Sequence, residues 1–254
     1  MATGISYRAM SDSFYKRSNE TEMFLSKLDE VAAEYNFDSV KSCVAIGTGA
    51  GILEIGFIEK CTASVTKFIA IEEDHEAAVN LRSHMRRRLP DVEGLAIEGD
   101  YHSWKGPSEP VDLVLAFHCL YPHYFNDIGE RQSMLKNIHD SWLNAGGFLV
   151  VLAEGSWSGN SIGDAGKLYD RLGYAFNEQF LDADILEAGF IKKHYFEFQY
   201  LRDFSNPDEA LLRYYSSNIL YSVTDDEVRC LIKELYPDGK AHGCYTLALF
   251  QKAL

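Results

Sequence analysis

The chain is short of basic residues, paired cysteines and long apolar runs, and each shortage removes a class of function. Against 38 acids it has 24 lysines and arginines, a formal net charge of −14. That balance disfavours a nucleic acid backbone as partner and would gather a cationic substrate. The one basic cluster, Arg82 with Arg86, Arg87 and Arg88, lies on a predicted helix and reads as a solvated face. None of the five cysteines, at positions 43, 61, 119, 230 and 244, forms a C-x-x-C pair or a His/Cys ligand spacing. Neither a disulfide frame nor a metal site is expected, and all five read as buried thiols. No apolar run approaches the ~18 residues of a membrane span, and the first residues lack the basic and apolar pattern of a signal peptide. A cytoplasmic protein with no membrane partner is expected. Repeats, low-complexity tracts and linkers are also missing, so one domain over 1–254 is expected, with 46% hydrophobic residues to fill its core.

What is present is organised around Val44-Ala45-Ile46-Gly47-Thr48-Gly49-Ala50-Gly51-Ile52-Leu53-Glu54-Ile55. A short apolar run breaks into glycines at alternate positions and resumes as a helix-like pattern, which predicts strand, tight turn and helix. Glycine there allows φ > 0 where the chain reverses and leaves no Cβ where a ligand lies against the backbone. A nucleotide-like ligand is implied, cradled by Gly47, Thr48, Gly49 and Gly51. The dinucleotide fingerprint needs its third glycine where Ile52 stands, so NAD is disfavoured and S-adenosylmethionine fits better. Any αβ protein can use such glycines in a plain turn. Lys67 to Ile71 is a second strand-length run, ending in Glu72-Glu73-Asp74 about 20 residues past the turn, where nucleotide-binding αβ folds place an acid for ribose hydroxyls. Glu72 is the candidate, since one carboxylate can accept from both hydroxyls. Glu73 and Asp74 equally suit the start of the next helix.

Ahead of this core, residues 6–36 read as two helical pieces around Ser18-Asn19-Glu20, with Met23, Phe24, Leu28, Val31 and Tyr35 at helical spacing. Tyr7, Phe14, Glu20 and Glu22 lie in this segment, which either closes over a site or packs as an ordinary amphipathic helix. Beyond the second strand the pattern predicts a helix over 76–89 stopped by Pro90 and a third strand over 94–101. At its end Asp100 could accept from an adenine amine and Tyr101 could stack, while Gly99-Asp100 equally suits a plain turn. A fourth strand begins at Val111 and runs into Phe117-His118-Cys119-Leu120-Tyr121. Open parallel sheets bind ligands beyond the carboxyl ends of their strands, so Phe117, His118 and Tyr121 should face the reacting centre. A purely structural histidine is the alternative.

A helix over 128–142 and a fifth strand through Ala153 follow, separated by Gly146-Gly147. A polar insertion over 154–176 carries Trp157. Then come a helix over 178–190, a sixth strand over 191–201 with His194, Phe196, Phe198 and Tyr200 in alternation, a helical stretch over 207–236 with Thr224 to Glu227 as a capping box, and a seventh strand over 244–251. The pattern predicts an α/β fold, a doubly wound Rossmann-like sheet of seven strands with an antiparallel last strand and a small helical cap.

The segments AIGTGAG, IAIEED, EGDY, WLNAGGFLVV and ILEAGF, with the terminal strand, together resemble class I S-adenosylmethionine-dependent methyltransferases over residues 40–254. Within that superfamily the chain is similar to the histamine N-methyltransferase family along nearly its whole length. VAIGTGAG stands for that family's isoleucine-rich strand and G-G-G-A-G loop, FHCLYPHY for its I-Q-M-L-Y-Y stretch, and FYKRSNETEMF for its F-x-x-x-S-T-E segment. The resemblance implies a cap over 1–39, a cofactor-binding core over 40–200, and a helical insertion with the last strand over 201–254. It implies cofactor contacts at Gly47, Glu72 and Phe117, a substrate-binding acid at Glu20, and an aromatic substrate box near Tyr7, Phe14, Tyr121 and Tyr245. His118 replaces the glutamine that holds the imidazole in that family, and Pro122 replaces the second tyrosine of its pair, which implies a different amine pocket. Ala45 lacks the acid many methyltransferases keep before the loop, as the histamine enzymes do.

The expectation is therefore a monomeric S-adenosylmethionine-dependent N-methyltransferase acting on a small amine or imidazole by direct in-line transfer. Glu20 would hold a distant ammonium, and His118 would orient the attacking nitrogen or accept its proton. Walls from Phe14, Tyr121, Tyr124 and Trp157 would favour a cation by its attraction to ring faces. Transfer to an oxygen or carboxyl group is an alternative that the −14 charge argues against. A methyltransferase-like binding module without turnover is the other.

Overall fold

Apolar runs broken by glycine become a seven-stranded sheet in the computed structural model, which describes residues 5, 7–121, 124–155, 165–172, 179–217 and 223–253. The strands are β1 (Ser42–Ile46), β2 (Lys67–Glu72), β3 (Glu93–Glu98), β4 (Val111–Phe117), β5 (Leu143–Glu154), β6 (Ile191–Asp203) and β7 (Lys240–Gln251), in the order β3-β2-β1-β4-β5-β7-β6. β1 pairs parallel with β2 and β4, β2 with β3, and β4 with β5. β7 runs against β5: the Gly146 N–H donates to the Lys252 carbonyl and the Gly155 N–H to that of Cys244, so residue numbers rise on one strand as they fall on the other. β1 and β4 are buried almost throughout, as strands covered on both faces must be. The helices are α1 (Tyr7–Lys16), α2 (Glu20–Glu34), α3 (Ile52–Cys61), α4 (His75–Arg88), α5 (Ile128–Asn137), α6 (Ala165–Arg171), α7 (Gln179–Glu187), α8 (Glu209–Ser217) and α9 (Asp225–Leu235). Among the described residues no helix is long and apolar enough to cross a membrane.

The chain divides into two compact units. One comprises Phe24–Ala153, Glu178–Phe196 and Thr246–Leu254, and every strand of the sheet runs at least partly through it. Phe24, Leu28 and Val31 of α2 recur at helical spacing and are fully buried. The rings of Phe24 and Phe57 meet Phe117 edge-on, with centroids 5.4 and 6.0 Å apart. α5 and α7 are joined by a buried ion pair, the Arg131 Nη2 donating to Asp184 Oδ2 at 2.5 Å, while Gln132 donates to the other carboxylate oxygen.

The other unit comprises Met1–Met23, Glu154–Asn177 and Glu197–Tyr245. Ser18 bridges to Arg202 of β6, and the Ser13 hydroxyl donates to Asp208 at 2.7 Å, which ties α1 to the start of α8. Thr224 and Glu227 form the expected reciprocal capping box at the start of α9.

Several sequence expectations need correction. The helix expected over 128–142 stops at Asn137, and Ile138–Trp142 forms a π-helical turn. Over 207–236 the described residues form α8 and α9, the second starting where the Thr224 hydroxyl accepts from the Glu227 N–H. Not all cysteines are buried: Cys43, Cys61 and Cys119 are, but Cys244 is half-buried and Cys230 exposed. On α9 the buried side carries Val228 and Ile232, and a residue two positions on from the first points away from it.

Candidate functional site

β1 stands where the strand order reverses, with β2 on one side and β4 on the other, and the crevice beyond such a switch point is where open α/β sheets bind ligands. The loop leaving β1 holds Gly47, Gly49 and Gly51 at φ of 58°, 53° and 74°. Their reasons differ. A Cβ on Gly47 would lie 2.7 Å from that of Cys119 and 3.4 Å from the Tyr101 ring, and one on Gly51 would collide with Leu81. A Cβ on Gly49 would meet nothing within 4 Å among the described residues. Packing therefore demands glycine at 47 and 51, while the open side of the turn is at 49.

Glu72, the last residue of β2, is turned onto this loop. Its Oε2 accepts from the Gly49 N–H at 2.6 Å and its Oε1 from the Asp74 N–H at 2.9 Å, while Asp74 caps α4 through the Ala77 N–H. Burial raises the Glu72 carboxyl above its usual range, and the two N–H groups work against that rise. An ionised carboxylate has about four acceptor sites, so two remain for ligand hydroxyls. The Thr48 hydroxyl beside it is 94% buried and has no hydrogen-bond partner among the described residues. A buried hydroxyl without a partner costs about 1–3 kcal/mol. Open space at Gly49, spare acceptors on Glu72 and this donor together fit the ribose and amino-acid portions of S-adenosylmethionine.

Beyond β4 the backbone of His118 adopts the left-handed region at φ 57°, the one residue other than glycine to do so among those described. Such a conformation in a non-glycine residue is held by its surroundings, here by the His118 N–H donating to the Leu152 carbonyl. The His118 Nδ1 and the Tyr121 hydroxyl are 2.8 Å apart, and Tyr124 follows with its ring centroid 6.2 Å from that of Tyr121. Tyr101 is buried, donates its hydroxyl to the Cys119 carbonyl at 2.8 Å and stacks on His102 at 4.2 Å. Asp100 is exposed, with one oxygen closing a turn at the His102 N–H. Phe117 packs in the aromatic core described above.

Phe14, Glu20 and Tyr245 come together in the other unit. Glu20 is buried and accepts from the Tyr245 hydroxyl at 2.8 Å, and Tyr245 stacks on Tyr200 at 4.5 Å. Tyr200 donates to Glu154. At the centre lies Arg202, fully buried, with its guanidinium carbon 3.7 Å from the Phe14 ring centroid and 4.9 Å from that of Tyr200, and with Nη1 donating to Tyr215 at 3.1 Å. Burial and the neighbouring carboxylates push the tyrosine hydroxyls up, so these phenols stay protonated. Trp157 and the side chain of Tyr7 lie outside the described residues.

Besides the Arg131–Asp184 pair, the buried ionisable residues that the sequence did not point to are Arg202, Glu154 and Glu54. Arg202 continues the alternation Phe196, Phe198, Tyr200, so its face was readable two residues further on. Glu154 is the last residue of β5, and Glu54 is an acid inside an otherwise apolar helix start, Ile52-Leu53-Glu54-Ile55-Gly56-Phe57-Ile58.

No family model matches the sequence, and no curated protein matches it. Solved structures do. A protein of Bacillus halodurans C-125 assigned as a methyltransferase superposes with a TM-score of 0.62 at 17% identity, over 91% of this chain and 99% of that one. The mitomycin 7-O-methyltransferase MmcR gives 0.56 at 15%, over 90% and 54%. The cyclase SpnF gives 0.54 at 16%, over 90% and 80%. With the strand order and the glycine turn after β1, these likenesses identify the class I methyltransferase fold.

Proposed function

We propose that the protein is an S-adenosylmethionine-dependent methyltransferase that transfers a methyl group directly to a nitrogen of a small amine or imidazole. The observation that carries this reading is Glu72, fixed at the end of β2 by the Gly49 and Asp74 N–H groups with acceptor sites to spare beside an open glycine turn. When bound, the cofactor supplies an electrophilic methyl group on a positively charged sulfur. The chain's own task is orientation and exclusion of water, which can account for about 7–11 kcal/mol of a barrier without covalent catalysis. Glu72 would hold the ribose, and Gly49 would leave room for the amino-acid portion. His118 would orient the attacking nitrogen or accept its proton, its ring steadied by Tyr121. Glu20 would anchor a distant ammonium, supported by the aromatic residues around it and by the acidic molecule as a whole. The closer likeness to the histamine-methylating family belongs to this proposal.

Titration with S-adenosylmethionine, followed by release of S-adenosylhomocysteine from a panel of imidazoles, phenethylamines, indoleamines and polyamines, tests it. Cofactor binding and turnover of one amine class are expected. A protein that does not bind the cofactor would overturn the reading, and cofactor binding without turnover of any substrate would leave a binding module. Unchanged kinetics in both His118→Ala and Glu20→Ala would remove those two roles. Arg202 favours a second reading: its guanidinium lies 3.9 Å from the Glu154 carboxylate, yet its Nε has no hydrogen-bond partner among the described residues, and a spare donor on a buried cation suits a substrate acid or phenolate. Phenols and carboxylic acids in the same panel decide between nitrogen and oxygen.

A further inference from the structure

Charge around the glycine turn is not balanced. Glu54 lies in the first turn of α3, three residues beyond Gly51, and is only 3% exposed. The titratable groups that bear on it are Glu72 at the end of β2, the Cys43 thiol of β1 and the Cys119 thiol beyond β4. None is a base. Burial pushes the Glu54 carboxyl up to about 8, Glu72 pushes it the same way, and the one opposing contact is the backbone N–H of Glu54 itself. Among the described residues no base on a neighbouring helix pairs with Glu54. Arg82 and Arg88 of α4 pair with Glu98 and Glu59, His84 bonds the Ala50 carbonyl, and Lys60 at the end of α3 pairs with Asp29 of α2. An ionised carboxylate buried without a counter-charge costs several kcal/mol, so the free protein holds Glu54 as the neutral acid at pH 7.

Two buried acids, Glu54 and Glu72, flank the turn with no cationic side chain paired to either among the described residues; the base nearest it, His84, meets the Ala50 carbonyl instead, and the turn also presents the Thr48 hydroxyl, unpartnered among those residues, and the open side of Gly49. The counter-charge that would balance the acids is that of a cationic ligand. We infer that Glu54 senses the charge state of the methyl donor, giving up its proton when a sulfonium ligand enters the turn and taking one back when the sulfur becomes a neutral thioether. The inference rests on the proposed donor. Balance is kept: on binding, the Glu54 proton goes to solvent. In the transfer the nitrogen lone pair forms the new N–C bond, the C–S electron pair returns to sulfur, and the proton shed by the nitrogen goes to solvent. The carboxylate, left beside an uncharged sulfur, then recovers a proton from solvent. Glu54 thereby favours the charged donor over its neutral product and promotes product release.

Proton exchange is measured directly by titration calorimetry at pH 7 in buffers of different ionisation enthalpy. S-adenosylmethionine is expected to release close to one proton from the wild-type protein and S-adenosylhomocysteine none, with donor affinity rising about tenfold between pH 6.5 and 8. Glu54→Gln, which mimics the neutral acid, is expected to release no proton with either ligand and to bind the two with similar affinity. As a second readout that needs no variant, the infrared band of a protonated carboxyl should disappear from the wild-type protein on adding the donor and persist with the product. Equal proton release for both ligands, or wild-type release in Glu54→Gln, overturns the role of Glu54 and leaves the methyltransferase reading standing. A wild-type protein that binds neither ligand at any pH overturns both.

Discussion

Gly47 and Gly49 share a left-handed backbone, yet alanine at the two positions should fail differently. At either, a side chain in that region costs roughly 1–2 kcal/mol. At Gly47 the new Cβ also meets Cys119 at 2.7 Å, and such overpacking typically adds about 1–3 kcal/mol. Gly47→Ala should therefore lose more stability in urea denaturation than Gly49→Ala. Gly49→Ala places its methyl in open space and should instead weaken S-adenosylmethionine binding at least about tenfold. Glu72→Gln keeps one acceptor but turns an NH2 group towards the Gly49 or Asp74 N–H. With charged hydrogen bonds worth about 1.5–3 kcal/mol, cofactor titration should show a loss of roughly ten- to a hundredfold. Glu72 was readable from its place after an apolar run. The left-handed backbone of His118 was not, because it depends on a hydrogen bond to Leu152, 34 residues away in the chain.

At the scale of elements, the two units are held by different devices. Arg131 and Asp184 join α5 to α7 where both are buried, so Arg131→Met leaves Asp184 with Gln132 as its remaining side-chain donor among the described residues. Breaking a buried pair in this way typically costs about 3–5 kcal/mol. The double variant Arg131→Met with Asp184→Leu should recover most of that in the same denaturation experiment. Thr224→Ala removes the cap of α9 and should cost about 1 kcal/mol, read as a lowered Tm. The hydrogen bonds from Thr224 hold the Glu227 carboxyl below its usual range, so the cap contributes fully above that range and weakens as pH falls through it. The capping box was legible because its signal spans four residues. The ion pair was not, because its partners are 53 residues apart and nothing local in either helix announces the other.

Across the whole molecule, the buried acids around the glycine turn set a pH dependence for the unliganded protein. Glu54 has a folded-state value of about 8 against the usual 4.5, so between these values the folded chain holds a proton that the unfolded chain has given up. Stability therefore falls as pH rises from about 4.5 to 8, by at most about 1.4 kcal/mol per unit for this group, and levels off above. Glu72, raised by burial, acts in the same direction. Surface acids held low, such as Asp140 beside Lys136 and His139, act in the opposite direction and lose their contribution under stronger acid. Urea denaturation at pH 5, 6, 7 and 8 should show a decline in the wild-type protein and a flatter profile in Glu54→Gln. The sequence by itself determined the alternation of strands and helices, the glycine turn and the acid after the second strand, because period, glycine and chain order act over short distances. Only the tertiary structure decided which charges are buried and with whom: Arg202 among Phe14, Tyr200 and Tyr215, and Glu54 beside Glu72 and two thiols. The cost and the protonation of a buried charge are fixed by neighbours that folding brings in from distant parts of the chain.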